Sequence, residues 1–438
     1  MKVLIKRGAV FNYSAKNLQI LDILINGSKI KDIGSNIPDE DALVIDAKDK
    51  LVIPGLIDAH VHFRQPGQEY KEDIHTGSLA SAAGGFTTVI AEPNTIPATD
   101  TPIRLKRLLE IANNASVVNF YSKSCITRRM EGMRLVDVRA MKEAGAKAIS
   151  DDGHPVYGKQ MMENALIKGK EHEILVNPHC EESELYRERV LAKNGVSGQS
   201  RFFPMPLSDS EIPYYSEDGF IRRDLELTER TGARIHISHV SLAKSVELIA
   251  EAKKRGVKVT AEATPHHLFL TEEMGREIGT NAKVNPPLRS KEDVEAVKEG
   301  LANGTIDIIV SDHAPHSPQE KSLPWDKAPF GIIGLETTLG LVLTHLVKPG
   351  ILTLSQAIEK MSYLPAKIFE IPAGDLSLGT SGDVTIIDLN KKWKVDTTQF
   401  YSKGRNCPFD GWELEGKAVT TIVRGRIVMQ DGRIISNY

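Results

Sequence analysis

A rhythm in the middle of the chain constrains its fold most. Between about residue 54 and residue 372, a short apolar run is followed by a helical stretch, repeatedly. Strands are predicted at 56–62, 87–91, 117–121, 146–150, 174–178, 234–238, 257–261 and 306–310. Helices are predicted between them at 102–112, 135–143, 160–170, 242–255 and 291–303. Consecutive parallel strands need crossover helices, so this alternation predicts a (β/α)8 TIM-like barrel. An open doubly wound sheet is the competing architecture. It would carry a glycine-rich phosphate loop after its first strand, and the sequence has none there.

The two ends read differently. Strands are predicted at 3–5, 22–25, 29–33 and 43–45, with Asn26 and Gly27 as a hairpin turn. Further strands are predicted at 383–387, 420–424 and 426–428. Residues 1–53 and 373–438 are therefore expected to share a small β-sandwich domain, with 54–372 as the catalytic barrel. The polar, proline-containing segment 182–220 breaks the rhythm and reads as a long loop with one short helix near 183–192.

Composition narrows the function. A formal net charge of −3 on 438 residues, without basic runs, implies no nucleic-acid or anionic-membrane partner. The N-terminal apolar run meets Lys6 and Arg7 too soon for a signal peptide, and no apolar stretch is long enough for a membrane span. Three dispersed cysteines, Cys125, Cys180 and Cys407, form no disulfide framework or thiolate zinc motif. The expected compartment is the cytoplasm.

In a barrel of this kind the chemistry sits at the C-terminal ends of the strands. There the sequence places His60 and His62, Asp151 and Asp152, His179, His239 and Asp312. Residues i and i+2 of a strand share a face, so His60 and His62 aim at one point, and Arg64 reaches the same space. A lone histidine or aspartate at a strand end is ordinary. Metal-competent groups at five of eight predicted ends are not. Four histidines and two aspartates exceed the needs of a mononuclear catalytic zinc. They suit two divalent ions that acidify a water and polarise a carbonyl, which is machinery for hydrolysing an amide-like bond.

The motifs at 58–67, 93–95, 150–153, 236–241, 264–267, 285–289, 312–316 and 329–331 resemble the amidohydrolase superfamily, and within it the class I dihydroorotases. The resemblance runs nearly end to end. It implies interconversion of N-carbamoyl-L-aspartate and L-dihydroorotate in pyrimidine synthesis, with two Zn2+ per chain. His60, His62 and Asp312 would hold one ion, His179 and His239 the other. Asp152, with Asp151 as the alternative, would bridge them, and Asp312 would also be the general acid/base. Arg64 and Asn94 match the groups that hold a substrate carboxylate. Asn285, His316 and the backbone of Phe330 and Gly331 match further substrate contacts. A homodimer, or association with the preceding pathway enzyme, is the expected assembly.

Gln65 and Glu92 depart from the family pattern, where glutamate and methionine are more usual, and the segment after His179 is longer. His266 and His267 are expected to support the site, His313 to orient Asp312 or pack locally, and Glu336 to serve as a helix-start charge. Two alternatives stand beside the leading reading. One is a hydantoinase, dihydropyrimidinase or allantoinase, whose metals are commonly bridged by a carboxylated lysine at the end of strand 4. The nearest lysine, Lys147, falls at that strand's start. The other is an inactive scaffold, which would be expected to lose ligands.

Overall fold

The computed structural model describes residues 2–12, 17–181 and 216–435. The chain opens with strands β1 (Lys2–Asn12), β2 (Asn17–Asn26), β3 (Lys29–Gly34), β4 (Leu43–Asp46) and β5 (Leu51–Pro54). Eight strands follow: β6 (Leu56–Val61), β7 (Phe86–Ala91), β8 (Asn119–Ser122), β9 (Ala148–Ile149), β10 (Leu175–Val176), β11 (Ile235–Ile237), β12 (Val259–Ala263) and β13 (Ile308–Ile309). The chain closes with β14 (Val384–Lys394), β15 (Glu413–Val423), β16 (Arg426–Gln430) and β17 (Arg433–Ile434).

The terminal strands make one nine-stranded sheet in the order β17-β16-β15-β14-β5-β1-β2-β3, with β4 on β1. The two ends of the chain meet where β5 pairs antiparallel with β14, Pro54 opposite Val384. The sheet wraps a core drawn from both ends, including Val3, Ile5, Ile23, Ile25, Val384 and Ile422. This is the expected β-sandwich. The predicted hairpin forms, with Asn26 paired to Lys29 and Gly27 at φ 60°. β5 was not separable in the sequence, because Leu51, Val52 and Ile53 run into β6 with no polar alternation. Gly55 breaks the run, and a Cβ there would lie 2.0 Å from Thr87 Oγ1.

The eight middle strands run parallel as β6-β7-β8 and β9-β10-β11-β12-β13. Parallel bridges close the ring at both seams, Val61 with His313 and Ser124 with Ile149. All eight predicted barrel strands are present. The helix Lys291–Asn303 matches its prediction, capped by Ser290 and stopped by Gly304 at φ 85°. A charged helix, Glu217–Thr231, also precedes β11; it buries Glu217, Arg223 and Asp224 along with Phe220, Ile221, Leu225 and Leu227. The short helix expected near 183–192 lies outside the described residues. No described helix is long and apolar enough to cross a membrane.

Candidate active site

The end of β6 carries His60 and His62 toward the barrel axis, with ring centroids 5.4 Å apart. His60 is fully buried. Its Nδ1 lies 2.6 Å from Glu262 Oε1 on β12, which fixes the proton there and leaves Nε2 facing the site. His60 Nε2 has no hydrogen-bond partner among the described residues. Three carboxylates surround it: Asp152 Oδ1 at 3.4 Å, Asp312 Oδ1 at 3.6 Å and Glu92 Oε1 at 3.7 Å. His62 is set the same way. Its Nδ1 donates to Asn94 Oδ1 at 2.9 Å, and its Nε2 faces Asp312 Oδ1 at 3.0 Å and Asp152 Oδ2 at 3.4 Å.

The opposite wall brings His179 and His239 to the same carboxylate. His179 Nδ1 is 3.0 Å from His239 Nε2, and these two nitrogens lie 3.4 and 3.3 Å from Asp152 Oδ1. Asp151 faces away from this cluster. It accepts from the backbone N–H of Ile126 and Thr127 and from the Thr127 hydroxyl. Of the two neighbouring aspartates, the one among the histidines is Asp152.

Arg64, His239 and Asp312 all adopt positive φ, at 51°, 31° and 47°. Such backbone is uncommon outside glycine and clusters at functional sites. Buried Asp58 spans the seam beneath them, accepting from the N–H groups of His60 and Ser311; burial raises its pKa to about 6 against those hydrogen bonds.

The electrostatics call for a cation. Burial disfavours a charged His60, yet Glu92, Glu262, Asp152 and Asp312 outweigh it and push its pKa well above the ordinary value. Burial likewise opposes ionisation of Asp312 and Asp152, while the surrounding imidazoles hold both well below the usual carboxylate range. Bare imidazole nitrogens facing carboxylate oxygens at 3.0–3.6 Å are the kind of donor atoms a divalent metal takes. Two triads, His60 with His62 and Asp312 and His60 with Asp152 and His239, have ligand atoms close enough to share an ion.

The residues expected to hold substrate ring this centre. Arg64 Nε donates to Pro315 O at 3.2 Å, and its guanidinium lies 3.3 Å from His316 Nε2. Burial lowers its pKa to about 10, so it stays cationic at neutral pH. His316 donates from Nε2 to Phe330 O at 2.7 Å and accepts at Nδ1 from Lys71. Burial, then Arg64 and Lys71, keep it neutral. Gly331, at φ 131°, donates its N–H to Lys283 O, and its carbonyl accepts from Lys321 and Asn406. Asn94 and Asn285 also support the metal side. Asn94 spans His62 and the Asp152 carbonyl, and the Asn285 amide lies 2.9 Å from His179 Nε2.

The second-rank residues sort out by their partners. His267 sits between Thr264 Oγ1 and Pro286 O, a supporting role as expected. His313 joins Glu72 to the Gly334 N–H while its carbonyl accepts from His62 N–H. Glu336 is more than a helix-start charge: it accepts from the N–H groups of Tyr401 and Ser402. Gln65 accepts from the Ile74 N–H at a helix start. Glu92 forms a buried ion pair with Lys123. Lys147 lies outside the site, bonded to Glu370 O. Sequence reasoning missed Glu262, Lys123, Glu72 and Asn406. The first two left a signal, a charge inside or just after an otherwise apolar strand.

The chain matches the family model described as dihydro-orotase-like over residues 49–245. It is 47% identical over 431 residues to the dihydroorotase of Pelotomaculum thermopropionicum, covering 98% of this chain and 99% of that protein. It is 44% identical over 429 residues to the dihydroorotase of Acetivibrio thermocellus, covering 98% and 99%. Among solved structures, it superposes on the L-hydantoinase (dihydropyrimidinase) of Arthrobacter aurescens with a TM-score of 0.86 at 30% identity, covering 99% of this chain and 97% of that one.

Proposed function

The chain belongs to the dihydro-orotase-like family of metal-dependent cyclic amide hydrolases, and from that premise we propose that it interconverts N-carbamoyl-L-aspartate and L-dihydroorotate. The observation that carries the reading is the placement of Arg64 beside the imidazole–carboxylate cluster: one stretch of chain offers metal ligands and an anion-binding fork.

His60, His62 and Asp312 would hold one ion, His179 and His239 the other, with Asp152 between them. Bound there, two divalent ions, zinc by preference, supply a Lewis acid for the ring carbonyl and acidify water. The protein's own groups do the rest. Arg64 holds the substrate carboxylate through its planar fork, assisted by Asn94 and by neutral His316. Asn285 offers both a donor and an acceptor to a cyclic ureide. Asp312, ionised and facing His62 Nε2 at 3.0 Å, accepts the proton of the attacking water and delivers it to the leaving ring nitrogen. In the cyclising direction it takes the proton of the attacking carbamoyl nitrogen and gives it to the departing hydroxide, which leaves as water.

A hydantoinase-type reading draws on the likeness to the Arthrobacter aurescens enzyme. Against it, Lys147 faces away from the ligand cluster, so no lysine stands at the end of β9 to be carboxylated. The deciding experiment assays dihydroorotate, hydantoin and allantoin side by side, with metal analysis of the same protein. Turnover of dihydroorotate alone, with about two zinc equivalents per chain, is the expected result. Preferential hydantoin or allantoin hydrolysis would overturn it.

A further inference from the structure

The Glu92–Lys123 pair has no place in the mechanism above, and its location is unusual. Glu92 follows β7 and Lys123 follows β8, both directed into the barrel and both with fully buried side chains. Lys123 Nζ is bonded to Glu92 Oε1 and lies 5.4 Å from the centre of the Phe369 ring. Two buried charges inside a barrel are costly, and an apolar pair of similar size often does as well or better. Stability therefore gives no reason for this pair.

The free ends of the pair supply one. Glu92 Oε2 is buried and has no hydrogen-bond partner among the described residues, and neither does His60 Nε2. Glu92 Oε1 lies 3.7 Å from that nitrogen, beside Asp152 at 3.4 Å and Asp312 at 3.6 Å. Ligand atoms sharing one tetrahedral zinc at about 2.0–2.2 Å stand roughly 3.3–3.6 Å apart. The 3.7 Å approach is made by Oε1, the oxygen that Lys123 bonds; Oε2 of the same carboxylate and His60 Nε2 are both buried without a proton donor among the described residues, which a cation satisfies.

We propose that Glu92 is a further ligand of the metal centre on the His60 side, through the carboxylate whose Oε1 faces His60 Nε2. Lys123 bonds that carboxylate and balances the added charge. The ion held by His60 then sees one more carboxylate than the six expected ligands provide. This rests on the metal-centre reading above and deepens it.

The test uses Co2+, whose visible absorption reports the number and kind of ligands. Metal-stripped wild-type protein is titrated alongside the Glu92→Met/Lys123→Met double variant, which removes the carboxylate without changing net charge. The double variant is expected to show an altered d–d spectrum and affinity weakened at least about tenfold for one of the ions. Lys123→Met alone, which frees both Glu92 oxygens, is expected to bind more tightly than wild type. If the double variant does not fold, Glu92→Gln, which keeps the side-chain shape, should give the same spectral change. A variant lacking the Glu92 carboxylate that matches wild type in spectrum and affinity would overturn Glu92 alone. A wild-type chain that takes up no Co2+ would overturn the metal centre and this proposal together.

Discussion

Glu262 on β12 accepts from His60 on β6 across the barrel at 2.6 Å, and the same carboxylate lies 3.0 Å from His236 Nε2. It also receives the His239 N–H at 3.3 Å. One anion thus orients a proposed ligand from each of two strands. Outer partners of this kind typically matter 10–100-fold in metal affinity. Glu262→Gln removes the charge and keeps the shape. Metal content after dialysis against a chelator should fall by about that factor relative to wild type.

Asp151 and Asp152 are expected to separate cleanly. Asp152→Asn should lose bound metal with little loss of stability. Asp151→Ala leaves the N–H groups of Ile126 and Thr127 unpaired in the interior, at a cost of about 1–3 kcal/mol. It should lower the urea midpoint and still retain metal. Metal analysis and chemical denaturation of both variants check this.

Asp312→Ala is expected to reduce turnover in both directions by about 10²–10⁴, the range of a lost general acid/base. Forward and reverse initial rates are the measurement. Near-normal rates in either direction would remove Asp312 from the proton transfer.

Arg64→Lys keeps a positive charge and loses the fork. The expected outcome is a raised KM for dihydroorotate with a smaller change in kcat, since the lost contact binds a carboxylate remote from the reacting bond. Steady-state kinetics over a range of dihydroorotate concentrations test it.

Lys321 gives a pH dependence of stability. Burial, then the neighbouring charge of Lys283, lower its pKa to about 7, and its partners are the neutral carbonyls of Pro329 and Gly331. The unfolded lysine titrates near about 10.4. Between these values the unfolded chain holds a proton that the folded chain has released, so stability rises with pH across that window. Lys321→Met should flatten the rise. Urea midpoints at pH 7 and pH 9 for both proteins measure it.

Much of the barrel was legible because its signal is local. Each of the eight strands is a short apolar run, and helix Lys291–Asn303 carries its own cap and stop. His60 and His62 were readable as a pair because strand geometry alone puts i and i+2 on one face. Glu217–Thr231 was missed because charged Glu217, Arg223 and Asp224 sit on its buried side and break the apolar pattern, and β5 because no polar residue separates it from β6.

By itself, then, the sequence determined the alternation of elements, the residue types at the strand ends and the sharing of one sheet by both termini. Tertiary structure decided which of those groups meet. Asp152 rather than Asp151 stands among the histidines because the loop after β9 ties Asp151 to the Ile126 and Thr127 N–H groups. Glu262 reaches His60 only because ring closure brings β12 round to β6, and Lys123 finds Glu92 because β8 pairs beside β7. Such pairings span 202 and 31 residues, and no local periodicity encodes a contact at those separations.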